Sequence, residues 1–218
     1  MLITALLLLF AYLLGSVSGS LLLGRFRGVD IRTQGSGNAG GTNAFRTQGV
    51  KFALGVVLID IGKGALFAWL ALRFAPLDGP FSPRALAFTA AFIAAIGHVW
   101  PLWHGFRGGK GVGTLLGGVA VLWPLALLPL LLVWVCVLVA TGYVGLASII
   151  ATACLVPLAL LLQVDAPTLW FSIAAALLVL FTHRVNVQRL RAGTESRFER
   201  VRFWRRRALV ANANCCSV

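Results

Sequence analysis

Acidic residues are scarce in this chain, which has only six Asp and Glu against nineteen Lys and Arg and a formal charge of +13. Charged residues of both signs make up 11% of the sequence, whereas 59% of it is hydrophobic. A soluble domain of this length would need a larger polar surface, so the composition indicates a membrane protein. The basic excess then indicates cytoplasmic loops, or a site for an anionic ligand or anionic membrane lipids, and we expect no nucleic acid.

Cysteine is also rare, and none of the four cysteines has a histidine at metal-ligand spacing, so we expect no metal ion. Cys136 and Cys154 lie in apolar runs, where cysteine usually packs as a small hydrophobic residue. Cys215 and Cys216 lie in the final CCSV, whose middle positions are not aliphatic, so we interpret its match to a prenylation signal as chance. The first basic residue is Arg25, so the N-terminal run lacks the basic start of a signal peptide and is predicted to be an uncleaved membrane helix.

Long apolar runs predict an all-α integral membrane protein that forms a single domain over residues 1–218. The runs at 2–23, 52–74 and 85–103 are long enough to cross, since a crossing needs about 20 apolar residues. Basic stretches follow the first and third runs, and the positive-inside rule makes them cytoplasmic and the N-terminus external.

Between Gly111 and His183 the sequence has no Lys or Arg, and both ends of this interval are assigned to the same side. The number of crossings within it must therefore be even, and four crossings would have about 18 residues each. Breaks at 124–129, 141–145 and 165–167 suit this division. We predict seven transmembrane helices with a cytoplasmic C-terminus; two helices within 112–141 must be short or tilted. Five helices with a re-entrant segment is the alternative.

This topology brings three polar segments, 25–51, 104–111 and 183–207, to the cytoplasmic surface. The first contains GSGNAGGTNAFR at 35–46, whose glycines allow a backbone anion nest and whose polar side chains suit a phosphate. Its match to G-x-G-x-x-G is weak, because a membrane helix precedes it instead of a strand. The alternative is a flexible loop between helices. The candidate ligand-binding residues are Ser36, Asn38, Gly40, Thr42, Asn43 and Arg46.

The second and third segments add further basic groups. GFRGGKGVGT at 105–114 places Lys110 at the start of the fourth helix, but Gly111 stands where a Walker loop has Ser or Thr. The alternative is a topology signal. In HRVNVQRLRAGTESRF at 183–198, His183 and Asn186 share a helix face, although a histidine at a helix end is often only interfacial. The arginines assigned to anionic lipid head groups are Arg200, Arg202, Arg205, Arg206 and Arg207.

Two charges lie deeper in the chain. Asp60 and Lys63 are three residues apart within the second apolar run, where an ionisable residue indicates a functional role. The alternative is that they neutralise each other or brace the site. His98, at the cytoplasmic end of the third run, is expected to line the same cleft, and these three residues form a second group around the site.

The three segments resemble, in the same order, the cytoplasmic motifs of the bacterial acyl-phosphate:glycerol-3-phosphate acyltransferase family (PlsY). The resemblance covers nearly the whole chain. It implies transfer of an acyl group from acyl phosphate to the 1-hydroxyl of sn-glycerol 3-phosphate, which gives lysophosphatidic acid and phosphate in phospholipid biosynthesis. It also implies a multi-pass protein of the cell inner membrane, an active site on the cytoplasmic face, no cofactor, and an upstream enzyme that forms acyl phosphate.

The resemblance also assigns roles to residues. Ser36, His183 and Asn186 match catalytic or acceptor-orienting positions, and Lys110 matches a phosphate-binding lysine. The family often has proline where this chain has Ala39 and alanine where it has Gly41, differences that make the loop more flexible. The remaining phosphate-binding positions of the first motif are Asn38, Gly40, Thr42, Asn43 and Arg46.

The missing motifs agree with this chemistry. No histidine is followed five positions later by aspartate, so the H-x-x-x-x-D dyad of commoner glycerolipid acyltransferases is missing. An acyl phosphate is already activated, so such an enzyme needs mainly positioning and charge stabilisation. The alternative function is a transporter or channel for an anionic phosphate-bearing solute, but its charges should line a path through the bilayer midplane.

Overall fold

The computed structural model describes residues 1–76 and 78–198, and every regular element in these two ranges is helical. Short 3-10 turns occur at Ile31–Thr33, Leu102–His104 and Pro124–Ala126. The α-helices in the described ranges are α1 (Leu2–Gly15), α2 (Gly19–Phe26), α3 (Gly41–Gln48), α4 (Val50–Phe74), α5 (Pro83–Val99), α6 (Val112–Leu122), α7 (Leu127–Thr141), α8 (Val144–Ala153), α9 (Leu155–Leu161), α10 (Ala166–Thr182) and α11 (Arg184–Arg191).

Several of these helices are long and apolar enough to cross a bilayer, which confirms the predicted all-α membrane class. By length and composition there are four such helices in the described residues, or up to six if each of two bent pairs is one span. The bent pairs are α1 with α2, at 48°, and α10 with α11, at 55°. Helix α6 has 11 residues, so it is about 16 Å long and shorter than the roughly 30 Å hydrocarbon core. The count of seven crossings stays a prediction.

Proline, glycine and aspartate divide the uncharged interval where the sequence predicted. Helix α6 ends just before Pro124, and α7 ends at Thr141, directly before Gly142, which has the left-handed φ of 81° that favours glycine. Asp165 caps α10, because its carboxylate accepts a hydrogen bond from the Thr168 N–H at 3.2 Å. These boundaries are local effects of single residues, which is why the sequence was sufficient to find them.

The first apolar run differs from its prediction as one continuous helix over residues 2–23. Helix α1 ends at Gly15, and α2 begins at Gly19 in a different direction. The Ser16 hydroxyl donates to the Tyr12 carbonyl at 2.9 Å, a side-chain bond that favours bending of a helix. Because Ser16 and Ser18 are fully buried, other parts of the protein must satisfy the backbone at this break.

Small residues bring the central helices close together. The buried face of α5 consists largely of alanines such as Ala90, Ala91 and Ala94, each fully buried. A Cβ added at Gly64 of α4 would overlap the Thr114 carbonyl oxygen, and one at Gly117 of α6 would overlap the Ile61 carbonyl oxygen. Close contact between backbones is a common way for helices to associate in lipid. Helices α4, α5, α6 and α10 therefore supply most of the buried apolar core of the bundle.

An ion pair joins three helix ends on the side away from the polar segments. The Arg84 Nε atom lies 2.7 Å from the Asp165 carboxylate, which links the start of α5 to the start of α10. The same guanidinium donates to the Leu122 carbonyl at 2.9 Å and to the Thr168 hydroxyl oxygen at 3.2 Å. Arg84 therefore fixes the ends of α5, α6 and α10 relative to one another.

Two glycines of α4 give a matched test of this close packing. We expect Gly64→Ala to lower the free energy of unfolding by about 1–3 kcal/mol, because the added methyl group overlaps the backbone of α6. Gly62→Ala is the control, since nothing lies within 4 Å of a Cβ at that position, and it should be neutral or stabilising by up to about 1 kcal/mol. Thermal unfolding in detergent measures both, and equal melting temperatures for the two variants would contradict the packing.

Candidate active site

The first polar segment forms a loop that Asn43 holds from within. The Asn43 Oδ1 atom accepts from the Ser36 N–H at 2.9 Å, and its Nδ2 group donates to the carbonyls of Ile31, at 3.1 Å, and Gln34, at 3.0 Å. Its side chain is only 1% exposed. The structure therefore gives Asn43 a role in shaping the loop, which differs from the direct phosphate contact expected from the sequence.

Other residues of this segment are accessible from outside. Ser36, Thr42 and Arg46 are exposed, and Asn38 and Gly40 are partly so. Ser36 and Arg46 line an open groove of ≈ 920 Å³ together with residues of the third segment, Ser196, Arg197 and Phe198. The Arg46 guanidinium donates to the Ser196 carbonyl at 3.5 Å, and the rings of Phe45 and Phe198 lie 5.8 Å apart. The first and third segments are thus in direct contact.

The second segment is fixed by its backbone. The N–H groups of Gly108 and Gly109 donate to the carbonyls of Val99 and His98, both at 3.1 Å. These two amides are therefore occupied by carbonyls of the protein. The Arg32 guanidinium, paired with Asp30 at 2.8 Å, also donates to the carbonyls of His104, at 3.0 Å, and Arg107, at 3.2 Å. It ties the first segment to the second.

Lys110 joins the second segment to the third. Its ammonium group donates to the Asn186 side-chain oxygen, and the Asn186 Nδ2 group donates to Glu195 Oε1 at 2.6 Å. The Lys110 carbonyl accepts from the Thr182 hydroxyl at 3.2 Å. Lys110 also lines a second cavity of ≈ 220 Å³ with Asn38 of the first segment. The structure thus brings together residues of all three segments, as predicted.

The pKa of the Lys110 ammonium group lies close to neutral pH. Burial lowers the pKa of the Lys110 ammonium group to about 8; the Glu195 carboxylate opposes this shift, and Arg189 and Arg46 add to it. The amine therefore remains mainly protonated near neutral pH and loses its proton a little above it. An anion that arrived here would stabilise the protonated form.

His183 lies at the junction of α10 and α11. It is 3% exposed, and its Nδ1 atom lies 2.8 Å from the Val179 carbonyl oxygen. Because a carbonyl only accepts, Nδ1 carries the proton in this contact, and the Nε2 atom of neutral His183 is left with a lone pair. Asn186, one turn later, has both ends of its amide engaged, by Lys110 and by Glu195.

Sequence reasoning did not assign a role to Glu195 or Arg32. Glu195 is partly buried, and its Oε2 atom has no hydrogen-bond partner among the described residues. The available signal was that Glu195 is the only acid between residues 166 and 198, within an otherwise basic segment. For Arg32 there was no comparable signal, because its carbonyl partners lie more than seventy residues away.

Asp60, Lys63 and His98 lie together but do not line either groove. They are 4%, 8% and 3% exposed, and the Lys63 Nζ atom lies 3.1 Å from Asp60 Oδ1.

Within residues 1–76 and 78–198 there is no group of three or more His, Cys, Asp and Glu arranged to hold a metal ion. The arginines assigned to lipid head groups and the two C-terminal cysteines lie outside the described residues. They are Arg200, Arg202, Arg205, Arg206, Arg207, Cys215 and Cys216.

Asn43 allows a direct test of the loop. We expect Asn43→Ala to destabilise the first segment by about 2 kcal/mol or more, because three backbone groups lose their partner in a buried position. Limited proteolysis in detergent should then cut within residues 34–43 faster than in the unmodified protein. Thr42→Ala is the control, because Thr42 is exposed. Equal cleavage rates in the two variants would contradict the role given to Asn43.

Comparisons with known proteins agree on one family. Residues 5–193 match the family model described as glycerol-3-phosphate acyltransferase. A glycerol-3-phosphate acyltransferase of Geobacter metallireducens is 45% identical over 199 residues, which cover 91% of this chain and 100% of that protein. One of Shouchella clausii is 43% identical over 195 residues, which cover 87% and 93%.

Solved structures agree as well. The crystal structure of PlsY (YgiH), an integral membrane glycerol 3-phosphate acyltransferase, in its glycerol 3-phosphate form aligns with a TM-score of 0.82 at 35% identity, covering 89% of this chain and 95% of that one. The lysophosphatidic acid form of PlsY aligns with a TM-score of 0.81 at 34% identity, covering 92% and 98%. The fold of this chain is therefore close to that of a solved membrane enzyme.

Proposed function

Because this chain belongs to the glycerol-3-phosphate acyltransferase family, we propose that it transfers a fatty acyl group from acyl phosphate to the 1-hydroxyl of sn-glycerol 3-phosphate. The products are lysophosphatidic acid and phosphate. The observation that carries the proposal is the meeting of three polar segments around Lys110, Asn186 and Arg46 at one end of an apolar helical bundle. A site in that position can receive one substrate from water and the other from lipid.

We also propose seven crossings of the cell inner membrane, with the N-terminus outside and the site and C-terminus on the cytoplasmic face. The bent pair α1 and α2 would count as one crossing, and the short α6 would complete its crossing with flanking residues. The positive-inside rule supports this orientation, since Arg25, Arg27 and Arg107 lie in the segments at the site end. An upstream enzyme that forms acyl phosphate would supply that substrate.

Two helices that begin directly after a glycine support binding of two phosphoryl groups. Helix α3 begins after Gly40, and α6 begins after Gly111, and no described side chain caps either of them. The free N–H groups in the first turn of a helix attract anions. Lys110 immediately precedes Gly111 and therefore lies beside the start of α6, whereas Arg46 lies in the last turn of α3 and lines the open groove. Asn38 and Thr42 add neutral hydrogen-bonding groups.

The reaction can proceed by positioning and charge stabilisation alone. The hydroxyl oxygen of the acceptor attacks the acyl carbon, and the bond from that carbon to the phosphate oxygen breaks. Phosphate leaves with the bonding electrons and takes the hydroxyl proton, so neither a protein base nor a redox cofactor is required. Ser36, His183 and Asn186 would orient the acceptor, while Arg46 and Lys110 would stabilise the phosphates.

The pKa of Lys110 leads to a pH prediction. Since the free enzyme loses the Lys110 proton near pH 8, we expect kcat/KM for glycerol 3-phosphate to fall as pH rises through that value. Lys110→Arg, which stays protonated, should move this decline to higher pH even if its maximum is lower. Lys51→Arg is the control, because Lys51 is exposed at the start of α4. An unchanged decline in Lys110→Arg would show that another group titrates.

His183→Gln tests the path of the proton. If the leaving phosphate accepts it, we expect kcat/KM to fall about tenfold through poorer orientation, with the acidic side of the pH profile unchanged. A loss of about 100- to 10,000-fold with a changed acidic side would instead identify His183 as the general base. Near-normal turnover would contradict both roles.

The function itself is tested with purified protein, acyl phosphate and glycerol 3-phosphate. We expect phosphate release and lysophosphatidic acid formation in equal amounts, dependent on both substrates and lost in Lys110→Met. The same protein in sealed vesicles provides the comparison with transport. Uptake of glycerol 3-phosphate without formation of lysophosphatidic acid would refute the proposal and favour a transporter.

A further inference from the structure

The break between α1 and α2 is held by two charged side chains of α4. The Lys63 ammonium group donates to the Val17 carbonyl at 2.9 Å, and the Gly19 N–H donates to Asp60 Oδ1 at 3.1 Å. Helix ends leave carbonyl and N–H groups without partners, and such groups are costly where water is excluded. A cation thus faces the end of α1 and an anion faces the start of α2, as the helix dipoles favour.

His98 connects this ion pair to the segments of the site. Its Nδ1 atom lies 2.8 Å from Lys63 Nζ and 3.3 Å from Asp60 Oδ1. With Lys63 protonated, Nδ1 accepts and the ring proton is on Nε2. That side of the ring faces Gly109, where an added Cβ would overlap Nε2 and would lie 2.8 Å from the Ala39 carbonyl oxygen. The imidazole therefore packs directly against Gly109 of the second segment, and the Ala39 carbonyl of the first segment lies next to the same glycine.

The backbone of His98 makes a second connection. Its carbonyl accepts from the Gly109 N–H at 3.1 Å, and the next carbonyl, of Val99, accepts from Gly108 at 3.1 Å. Gly109 is the residue directly before Lys110. The position of His98 thus fixes the backbone that presents Lys110, through both the ring and the main chain.

We infer that Asp60, Lys63 and His98 form a positioning unit, which transfers the rigid geometry of the α1–α2 break to the two substrate-binding segments. They are positioning residues, since their contacts are with other protein groups and not with the grooves. Apolar residues of similar volume would fill the same space, but they would leave the Val17 carbonyl and the Gly19 N–H without partners. Apolar residues would also not fix the orientation of the His98 ring against Gly109. The hydrogen bonds of the two charged side chains give them this role.

His98→Asn separates positioning from folding. The shorter amide retains an acceptor near the position of Nδ1 for Lys63 but removes the contact with Gly109. We expect kcat/KM for acyl transfer to fall about 10- to 100-fold, because small displacements of a positioned group cost that much. Hydrogen–deuterium exchange of residues 105–111 and 35–46 should become faster. The kinetic readout rests on the proposed function, whereas the exchange readout does not.

Arg84→Gln is the matched control, since it breaks an ion pair of 2.7 Å at the opposite end of the same bundle. It should lower the melting temperature while leaving the exchange of both segments and kcat/KM of the folded protein unchanged. If His98→Asn yields too little folded protein, the double variant Asp60→Asn with Lys63→Met replaces it, because joint removal of both charges leaves no unpaired buried charge.

The outcomes distinguish this inference from the proposed function. Exchange rates in His98→Asn or the double variant within twofold of the unmodified protein would overturn the positioning unit. Equal losses of kcat/KM in His98→Asn and Arg84→Gln would also overturn it, since the effect would then be one of general stability. Absence of acyl transfer in the unmodified chain would overturn the proposed function, and the exchange measurement would still decide the positioning unit.

Discussion

The structure depends on the requirement that backbone polar groups within lipid find partners inside the protein. Regular helices meet this requirement unaided, so the polar, irregular segments are gathered at the bundle end. The break after Gly15 departs from this pattern, and there α4 supplies Lys63 to the Val17 carbonyl and Asp60 to the Gly19 N–H. An ion pair that would be costly in an apolar interior is thus retained because it satisfies groups that would otherwise be costlier to leave unpaired.

Close helix packing then brings the polar segments together. Glycines such as Gly64 and Gly117 allow α4 and α6 to approach until backbone atoms touch, and the alanines of α5 do the same for its neighbours. Helix α4 begins at the end of the first segment, α5 ends just before the second, and α6 begins just after it, so the packing of these helices places the two segments. The contacts of Lys110 with Asn186 and of Arg46 with Ser196 are consequences of that geometry.

The polar residues of the site divide into two groups. Asn43 and Arg32 are used to hold backbone carbonyls and amides, and the amides of Gly108 and Gly109 are likewise occupied. Ser36 and Arg46 face the open groove instead. Residue type does not distinguish the groups, since Asn38 lines a cavity and Asn43 is buried. A loop can present a few side chains accurately only if others are committed to its shape.

The sequence by itself determined that most of the chain lies in lipid, where several helices end, and which polar segments belong to one site. Composition reflects the solvent directly, residues such as Pro124, Gly142 and Asp165 act on their own neighbours, and the basic residues indicate which loops belong together. Only the tertiary structure decided that the first run is broken, that Glu195 holds Asn186, and that His98 joins Asp60 and Lys63 to Gly109. Those facts depend on which side chains and backbone groups meet in three dimensions, and the packing of the helices and loops sets that.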